Sequence, residues 1–99
     1  MSSVCRHVIV RGRVQGVYFR AFVEQEALKR GVEGWVRNRR DGAVEALFAG
    51  THEQVQAMIE ICRRGSPPSR VDSLDEREGR ADEFALRRPG DVFSVLPTV

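Results

Sequence analysis

The sequence predicts an α+β fold with the split βαβ arrangement, in which strands and helices follow the order βαββαβ. Three observations predict it. Two helix-like segments each follow a strand-like segment, an Asp-Gly pair separates the two central strand-like segments, and 99 residues of which 41% are hydrophobic suffice for one core. Right-handed crossovers would then place both helices on one face of an antiparallel sheet, within a single domain spanning residues 1–99.

The first strand and the first helix are predicted from residue type and spacing. Residues 4–11 are rich in β-branched side chains, and the strand ends at Gly12. Residues 19–30 are mostly good helix formers, followed by Gly31 as a stop. On this helix Glu24 is expected to face water, and the apolar side chains that recur every three or four residues face the sheet. They are Phe19, Phe22, Val23 and Ala27.

A hairpin and a second helix follow. Residues 32–39 and 43–50 are strand-like, and Asp41-Gly42 between them is typical of a tight turn. Thr51 and Gln54 have the spacing of a capping box, which predicts the start of a helix. The apolar face of that helix consists of Val55, Met58, Ile59 and Cys62. Helices above the sheet would bury Val8, Val10, Val36, Val44, Ala46 and Phe48.

The last part of the predicted core is a strand broken in two. Its first half is placed at residues 69–76, its second half at residues 83–88, and a charged loop at residues 78–82 joins them. The core then spans residues 4–88, and residues 89–99 form a C-terminal extension. Within the extension, the segment from Val92 to Leu96 adds an edge strand, packs over the open sheet face or stays mobile; the sequence leaves these three alternatives open.

Composition limits the function classes. The net charge is only +2, too small to indicate a nucleic-acid partner, although fifteen of the sixteen basic residues are arginines. No segment has the length and apolar character of a membrane span or a secretory signal. Cys5 and Cys62 are too few for a disulfide framework, which favours reduced thiols and a cytoplasmic protein.

The segment from Gly12 to Arg20 is the most informative for function. Glycines at both ends of a strand-to-helix turn let successive backbone N–H groups converge on one point, and the helix amino end adds partial positive charge. A cation such as Arg20 is unfavourable in the first helical turn, unless its guanidinium shares a bound anion. The structural alternative is that Gly16 only closes a turn while Arg20 pairs with a surface carboxylate.

Two nucleotide-binding motifs are excluded at this loop. No Gly-Lys-Ser/Thr follows, so the loop is not a Walker A motif. The glycines also lack the G-x-G-x-x-G spacing of a dinucleotide fingerprint. Nucleotide binding therefore loses most of its support.

Residues 12–20 resemble the signature loop of acylphosphatases. Residues 34–38 followed by Asp41-Gly42 resemble the second signature of that family. Residues 66–71 and 84–88 are similar to the family's fourth-strand entry and C-terminal strand. The resemblance implies a ferredoxin-like α/β sandwich that hydrolyses small acyl phosphates to a carboxylate and inorganic phosphate. It implies no metal or other cofactor.

The resemblance also implies the roles of individual residues. Arg20 is expected to bind the phosphate, and Asn38 is expected to position the attacking water. The loop amides that would hold the phosphate belong to Gln15, Gly16, Val17, Tyr18, Phe19 and Arg20. The partner is thus a small-molecule acyl phosphate, with no nucleic acid and no membrane, and the protein is expected to be a monomer.

The expected chemistry agrees with a site that lacks a strong acid. A carboxylate leaving group has a conjugate acid with a pKa of about 4, so it departs without protonation. His7 and His52 both lie outside the two motifs and are expected to be structural. No general base is evident, and the proton of the attacking water would pass to a phosphate oxygen of the substrate.

Two non-catalytic alternatives share the same order of elements. An RNA-recognition module needs stacked aromatic residues on its third strand, whereas residues 43–48 offer one aromatic residue and an acidic one. A regulatory ligand-binding domain would need no pairing of Arg20 with Asn38. Turnover, as opposed to binding alone, distinguishes these alternatives from an enzyme.

Overall fold

A computed structural model describes residues 3–99 of the protein. The elements, in chain order, are β1 (Ser3–Arg13), α1 (Phe19–Arg30), β2 (Glu33–Asn38), β3 (Val44–Thr51), α2 (His52–Arg64), β4 (Arg70–Glu78), α3 (Ala81–Phe84) and β5 (Phe93–Val95). Within the described residues, no helix is long and apolar enough to cross a membrane.

The five strands form one sheet in the order β4-β1-β3-β2-β5. The pairs β1–β3, β1–β4 and β2–β3 are antiparallel, as the sequence predicts. The β2–β3 hairpin turns at Asp41-Gly42, where the backbone N–H of Gly42 donates to Arg39 O at 3.1 Å. The predicted ferredoxin-like split βαβ fold is therefore confirmed.

The main core lies between one face of the sheet and the helices α1 and α2. All six sheet residues predicted to be buried there are in one cluster with side chains of both helices. Phe19, Val23 and Ala27 are the buried residues of α1, so the predicted stripe faces the sheet. Packing of this stripe fixes the position of the amino end of α1, where the predicted anion-binding loop joins the helix.

The start of α2 has the predicted capping box. Thr51 Oγ1 accepts a hydrogen bond from the backbone N–H of Gln54 at 3.1 Å, and Gln54 Oε1 accepts one from the N–H of Thr51 at 2.9 Å. The side-chain amide of Gln54 also donates to Arg30 O at 3.0 Å. The cap thus joins the start of α2 to the end of α1.

The predicted strand at residues 83–88 is wrong. Residues 81–84 form the short helix α3, and local backbone hydrogen bonds continue the turn through Arg87. Long-range contacts explain the difference: the Glu83 carboxylate binds the guanidinium of Arg77, and Glu83 O accepts a hydrogen bond from Trp35 Nε1 at 2.8 Å. These contacts hold the segment on the sheet face opposite α1 and α2, where Trp35, Leu47, Leu96, Cys5 and Phe84 form a second apolar cluster.

The last strand of the sheet lies instead within residues 89–99. β5 pairs with β2 in parallel, with Phe93 opposite Gly34 and Val95 opposite Val36. Of the three alternatives for this segment, the structure shows the edge strand. Phe93 is 4% exposed, and its ring stacks on Phe48 with centroids 6.0 Å apart.

Because Phe93 lies in the main core, Phe93→Ala is expected to lower the free energy of unfolding by about 3–5 kcal/mol. Chemical denaturation of the purified variant measures this loss. Val92→Ala is the matched control, since Val92 is 47% exposed, and it should change stability by less than about 0.5 kcal/mol. A loss below about 1 kcal/mol for Phe93→Ala would contradict the packing of β5 against the core.

Candidate active site

A cavity of about 500 Å³ lies where the loop between β1 and α1 meets the end of β2. Its lining includes six of the residues predicted for the site: Gln15, Gly16, Tyr18, Phe19, Arg20 and Asn38. Val17 is not part of the lining, because its side chain is buried in the main core. The structure thus brings the two predicted motifs together around one space.

A larger cavity, of about 900 Å³, contains none of these residues. It lies beside the start of β1 and the end of β3, with Cys5 and Phe84 in its wall and His52 at its edge. Both cysteines are free. Burial raises the pKa of the Cys62 thiol to about 12. Burial, together with the negative charges of Glu83 and Glu78, raises the pKa of the Cys5 thiol. Larger volume alone does not mark a site, and the predicted site residues line the smaller cavity.

The loop backbone presents N–H groups that have no backbone partner. Among residues 3–99, none of the amides of residues 15–21 donates to a backbone carbonyl, and the first such bond runs from Phe22 N to Tyr18 O at 3.0 Å. Tyr18 is the N-cap of α1, and no side chain caps this helix. An uncapped helix start with a preceding loop of free donors is a binding place for an anion.

Two residues of the loop have left-handed backbone conformations. Gly16 has φ of 73°, and a Cβ there would meet no protein atom within 4 Å. Tyr18 has φ of 60°, the only positive φ of a non-glycine residue in the described chain, and its side chain is 84% exposed. A bulky residue adopts this conformation at a cost, and such strain is found at functional sites.

Arg20 lies in the first turn of α1 with its side chain half-buried at the cavity. The ion pairs on α1 join Glu26 to Lys29 and to Arg30, and in residues 3–99 none includes Arg20. The structural alternative, in which Arg20 pairs with a surface carboxylate, is therefore absent from this part of the chain. The guanidinium has its donors available for a ligand in the cavity.

Asn38 is the last residue of β2 and lines the same cavity. Its backbone is held on both sides, since it pairs with Val44 of β3 and its carbonyl accepts a hydrogen bond from the N–H of Val99 at 3.1 Å. Its side-chain Oδ1 is buried without a hydrogen-bond partner in residues 3–99. An enclosed acceptor of this kind costs about 1–3 kcal/mol unless a donor such as water reaches it.

Three contributions to this site were not predicted from the sequence. Glu24 was expected to face water, but it lines the cavity one helical turn after Arg20. Val95 of β5 also lines the cavity, from a segment outside both motifs. The side chain of Gln15 donates from Nε2 to Arg39 O at 2.7 Å and to Ala43 O at 2.8 Å. The positions of Val95 and of the Gln15 partners join distant parts of the chain, and no local sequence signal indicates them. The i,i+4 spacing of Arg20 and Glu24, by contrast, places both on one face of α1.

A buried polar cluster supports β2 from the sheet face opposite the helices. Glu45 accepts hydrogen bonds from His7 Nε2 at 2.6 Å and from Arg37 Nε at 2.7 Å, and the Arg37 guanidinium lies 4.7 Å from the centre of the Trp35 ring. Burial alone would raise the pKa of Glu45, but the hydrogen bonds from His7 and Arg37 outweigh it and lower the pKa to about 2. His7 thus has a structural position, as expected.

Comparison with known proteins identifies the family. A family model described as Acylphosphatase matches residues 6–87. The chain belongs to the acylphosphatase family. An acylphosphatase of Rhodopseudomonas palustris (strain BisB18) is 60% identical over 99 residues, covering all of both chains, and one of Bradyrhizobium diazoefficiens is 59% identical over the same length.

Solved acylphosphatases have the same fold. The acylphosphatase from Bacillus subtilis is 41% identical, with a TM-score of 0.80 and coverage of 94% of this chain and 98% of that chain. The one from Coxiella burnetii is 30% identical, with a TM-score of 0.81, and the match covers 95% and 93% of the two chains. The alignment with the Rhodopseudomonas acylphosphatase includes residues 89–99, which the sequence analysis described as a C-terminal extension.

The buried Glu45 cluster predicts acid-sensitive stability. The ordinary pKa of 4.5 falls to about 2 on folding, so the stabilisation is fully present above pH 4.5 and is lost as the pH falls toward 2. In Glu45→Gln the free energy of unfolding should fall less steeply across this pH range. Part of the pH dependence of the free energy of unfolding should remain in this variant. Glu83 contributes it, because its pKa is also lowered to about 2, mainly by its hydrogen bond with Arg77.

Denaturation at a series of pH values between 5 and 2 measures the slope. The matched control is Glu60→Gln, because Glu60 is exposed on α2. An identical slope for wild type and Glu45→Gln would show that this carboxylate does not carry the predicted proton linkage.

Proposed function

We propose that the chain hydrolyses the carboxyl–phosphate bond of small acyl phosphates in the cavity between the loop and β2. The activity is that of its family, whose relatives with 50–60% identity over the full length are acylphosphatases. The observation that carries the assignment of the site is the shared cavity, which combines unpaired loop amides, an arginine without an ion pair in the described residues and a buried amide oxygen without a partner.

The phosphate group binds at the loop. The amides of residues 15–20 donate to its oxygens, and the amino end of α1 adds a favourable dipole. Arg20 supplies a full positive charge and a planar pair of donors, which Lys cannot reproduce. These groups stabilise the charge that develops on the equatorial oxygens during transfer, a contribution of several kcal/mol in sites of this kind.

The water that attacks phosphorus binds at Asn38. Its buried Oδ1 accepts one hydrogen bond from the water, which leaves a lone pair of the water oxygen free to point at phosphorus. A neutral amide suits this position, because an aspartate would repel the anionic substrate. The rigid backbone of Asn38, paired with both Val44 and Val99, keeps the acceptor in place.

The reaction needs no general acid in the protein. The water oxygen forms a bond to phosphorus while the bond between phosphorus and the acyl oxygen breaks, and the electron pair of that bond leaves with the carboxylate. One proton of the water passes to a phosphate oxygen, so the products are a carboxylate and dihydrogen phosphate. A carboxylate is a good leaving group because its conjugate acid has a pKa of about 4.

The proposal extends to the cellular setting. We propose that the protein acts in the cytoplasm, which its two free cysteines favour, and that it acts as a monomer without a cofactor, a nucleic acid or a membrane. Its substrate carries both the phosphate and the leaving group, so a single small domain supplies a sufficient site. Size-exclusion chromatography with light scattering tests the monomer.

Phosphate release from acetyl phosphate tests the function and the two side chains together. Wild type should hydrolyse acetyl phosphate and should leave a simple alkyl phosphate monoester essentially intact, since the monoester lacks a good leaving group. Arg20→Lys should lower kcat by about 100-fold or more, because a point charge replaces the planar fork. Asn38→Ala should lower kcat by a similar factor, because the water loses its acceptor.

Arg64→Lys is the matched control, since Arg64 is exposed at the end of α2, and its activity should equal that of wild type. Circular dichroism checks that every variant is folded. Phosphate binding without turnover in wild type would favour a non-catalytic binding domain. Near-normal turnover in Arg20→Lys or Asn38→Ala would refute the role of that residue.

A further inference from the structure

The side chain of Gln15 connects the phosphate loop to the β2–β3 turn. Its Nε2 has two hydrogens and lies within hydrogen-bond distance of two carbonyl oxygens, Arg39 O at 2.7 Å and Ala43 O at 2.8 Å. Gln15 is at the start of the loop, whereas Arg39 directly follows Asn38 in sequence. The side chain therefore spans the gap between the two halves of the site.

The turn does not need Gln15 for its own closure. Arg39 O already accepts a hydrogen bond from the N–H of Gly42 at 3.1 Å, and Ala43 O accepts one from the N–H of Arg39 at 2.8 Å. Asp41 further supports the turn by accepting from the N–H of Ala43 at 3.0 Å. The bonds from Gln15 use the second lone pair of each carbonyl, so their effect is to fix the loop relative to the turn.

No other side-chain hydrogen bond in residues 3–99 joins residues 14–20 to residues 38–43. The loop is otherwise held by its apolar side chains in the core, and the turn by the strands β2 and β3. In-line attack requires a fixed distance and angle between the phosphorus bound by one element and the water bound by the other.

We propose that Gln15 is a positioning residue, which sets the separation of the phosphate loop from Asn38 and hence the alignment of water with phosphorus. The proposal rests on the proposed function. The role of the Gln15 side chain is separate from that of its backbone amide. The side chain binds the β2–β3 turn, whereas the amide is one of the proposed phosphate donors. Loss of these bonds should disturb the alignment in the transition state while the phosphate contacts, all on one element, remain.

The experiment compares Gln15→Met and Gln15→Leu with wild type. Met keeps the length of the side chain, Leu keeps its apolar part, and neither carries a donor or a charge that would repel the phosphate. Both should lower kcat for acetyl phosphate by about 10–100-fold, as a small misalignment does. KM and the inhibition constant of inorganic phosphate should stay within about threefold of wild type. The control is Gln25→Met, at an exposed position of α1, which should match wild type within about twofold.

Each outcome decides the proposal. Unchanged kcat in both Gln15 variants overturns it, with the function itself intact. A parallel loss of kcat and of phosphate affinity also overturns it, because Gln15 would then serve binding. If Gln15→Met does not fold, Gln15→Leu decides, and loss of folding in both variants would make Gln15 a purely structural residue. An inactive wild type would refute the proposed function, and the proposal with it.

Discussion

The burial of three apolar side chains from one loop fixes the backbone on which the site depends. Val14, Val17 and Phe19 all lie in the main core, at 1%, 8% and 1% exposure. With these side chains held beneath the helices, the loop amides have no backbone partners in the described residues and line the start of an uncapped helix. The hydrophobic core thereby supports a polar site, because the packed side chains offset the cost of leaving these donors and a left-handed Tyr18 in place.

The proposed site consists of two elements that are distant in sequence and line one cavity. In the proposed function, the loop and Arg20 provide positive charge for the phosphate, while Asn38 at the end of β2 provides an acceptor for water. β2 is held by β3, by the C-terminal segment and by the Glu45 cluster on the opposite sheet face. Since the substrate supplies its own leaving group, precise placement and charge are the main tasks left to a domain of 99 residues.

Local signals in the sequence predicted most of the fold and the loop of residues 12–20, whereas Asn38 was expected only from the resemblance to acylphosphatases. The capping box at Thr51, the Asp-Gly turn and the apolar stripe of α1 depend on residues close in sequence, and all three are present in the structure. Residues 83–88 do not form the expected strand, because Glu83 is held by Arg77 of β4 and Trp35 of β2. The cavity position of Val95 and the side-chain bonds of Gln15 likewise depend on tertiary contacts, which periodicity does not report.

Phosphate binding at the loop is tested by titrating the ¹⁵N-labelled protein with inorganic phosphate and following the titration by NMR. If the loop holds the phosphate, the largest shifts should belong to the backbone amides of residues 15–20 and to the side-chain Nε–H of Arg20, and all should saturate with one dissociation constant. Shifts centred instead on the larger cavity around Cys5 and Phe84, or the absence of saturable shifts in the loop, would show that the loop does not bind phosphate.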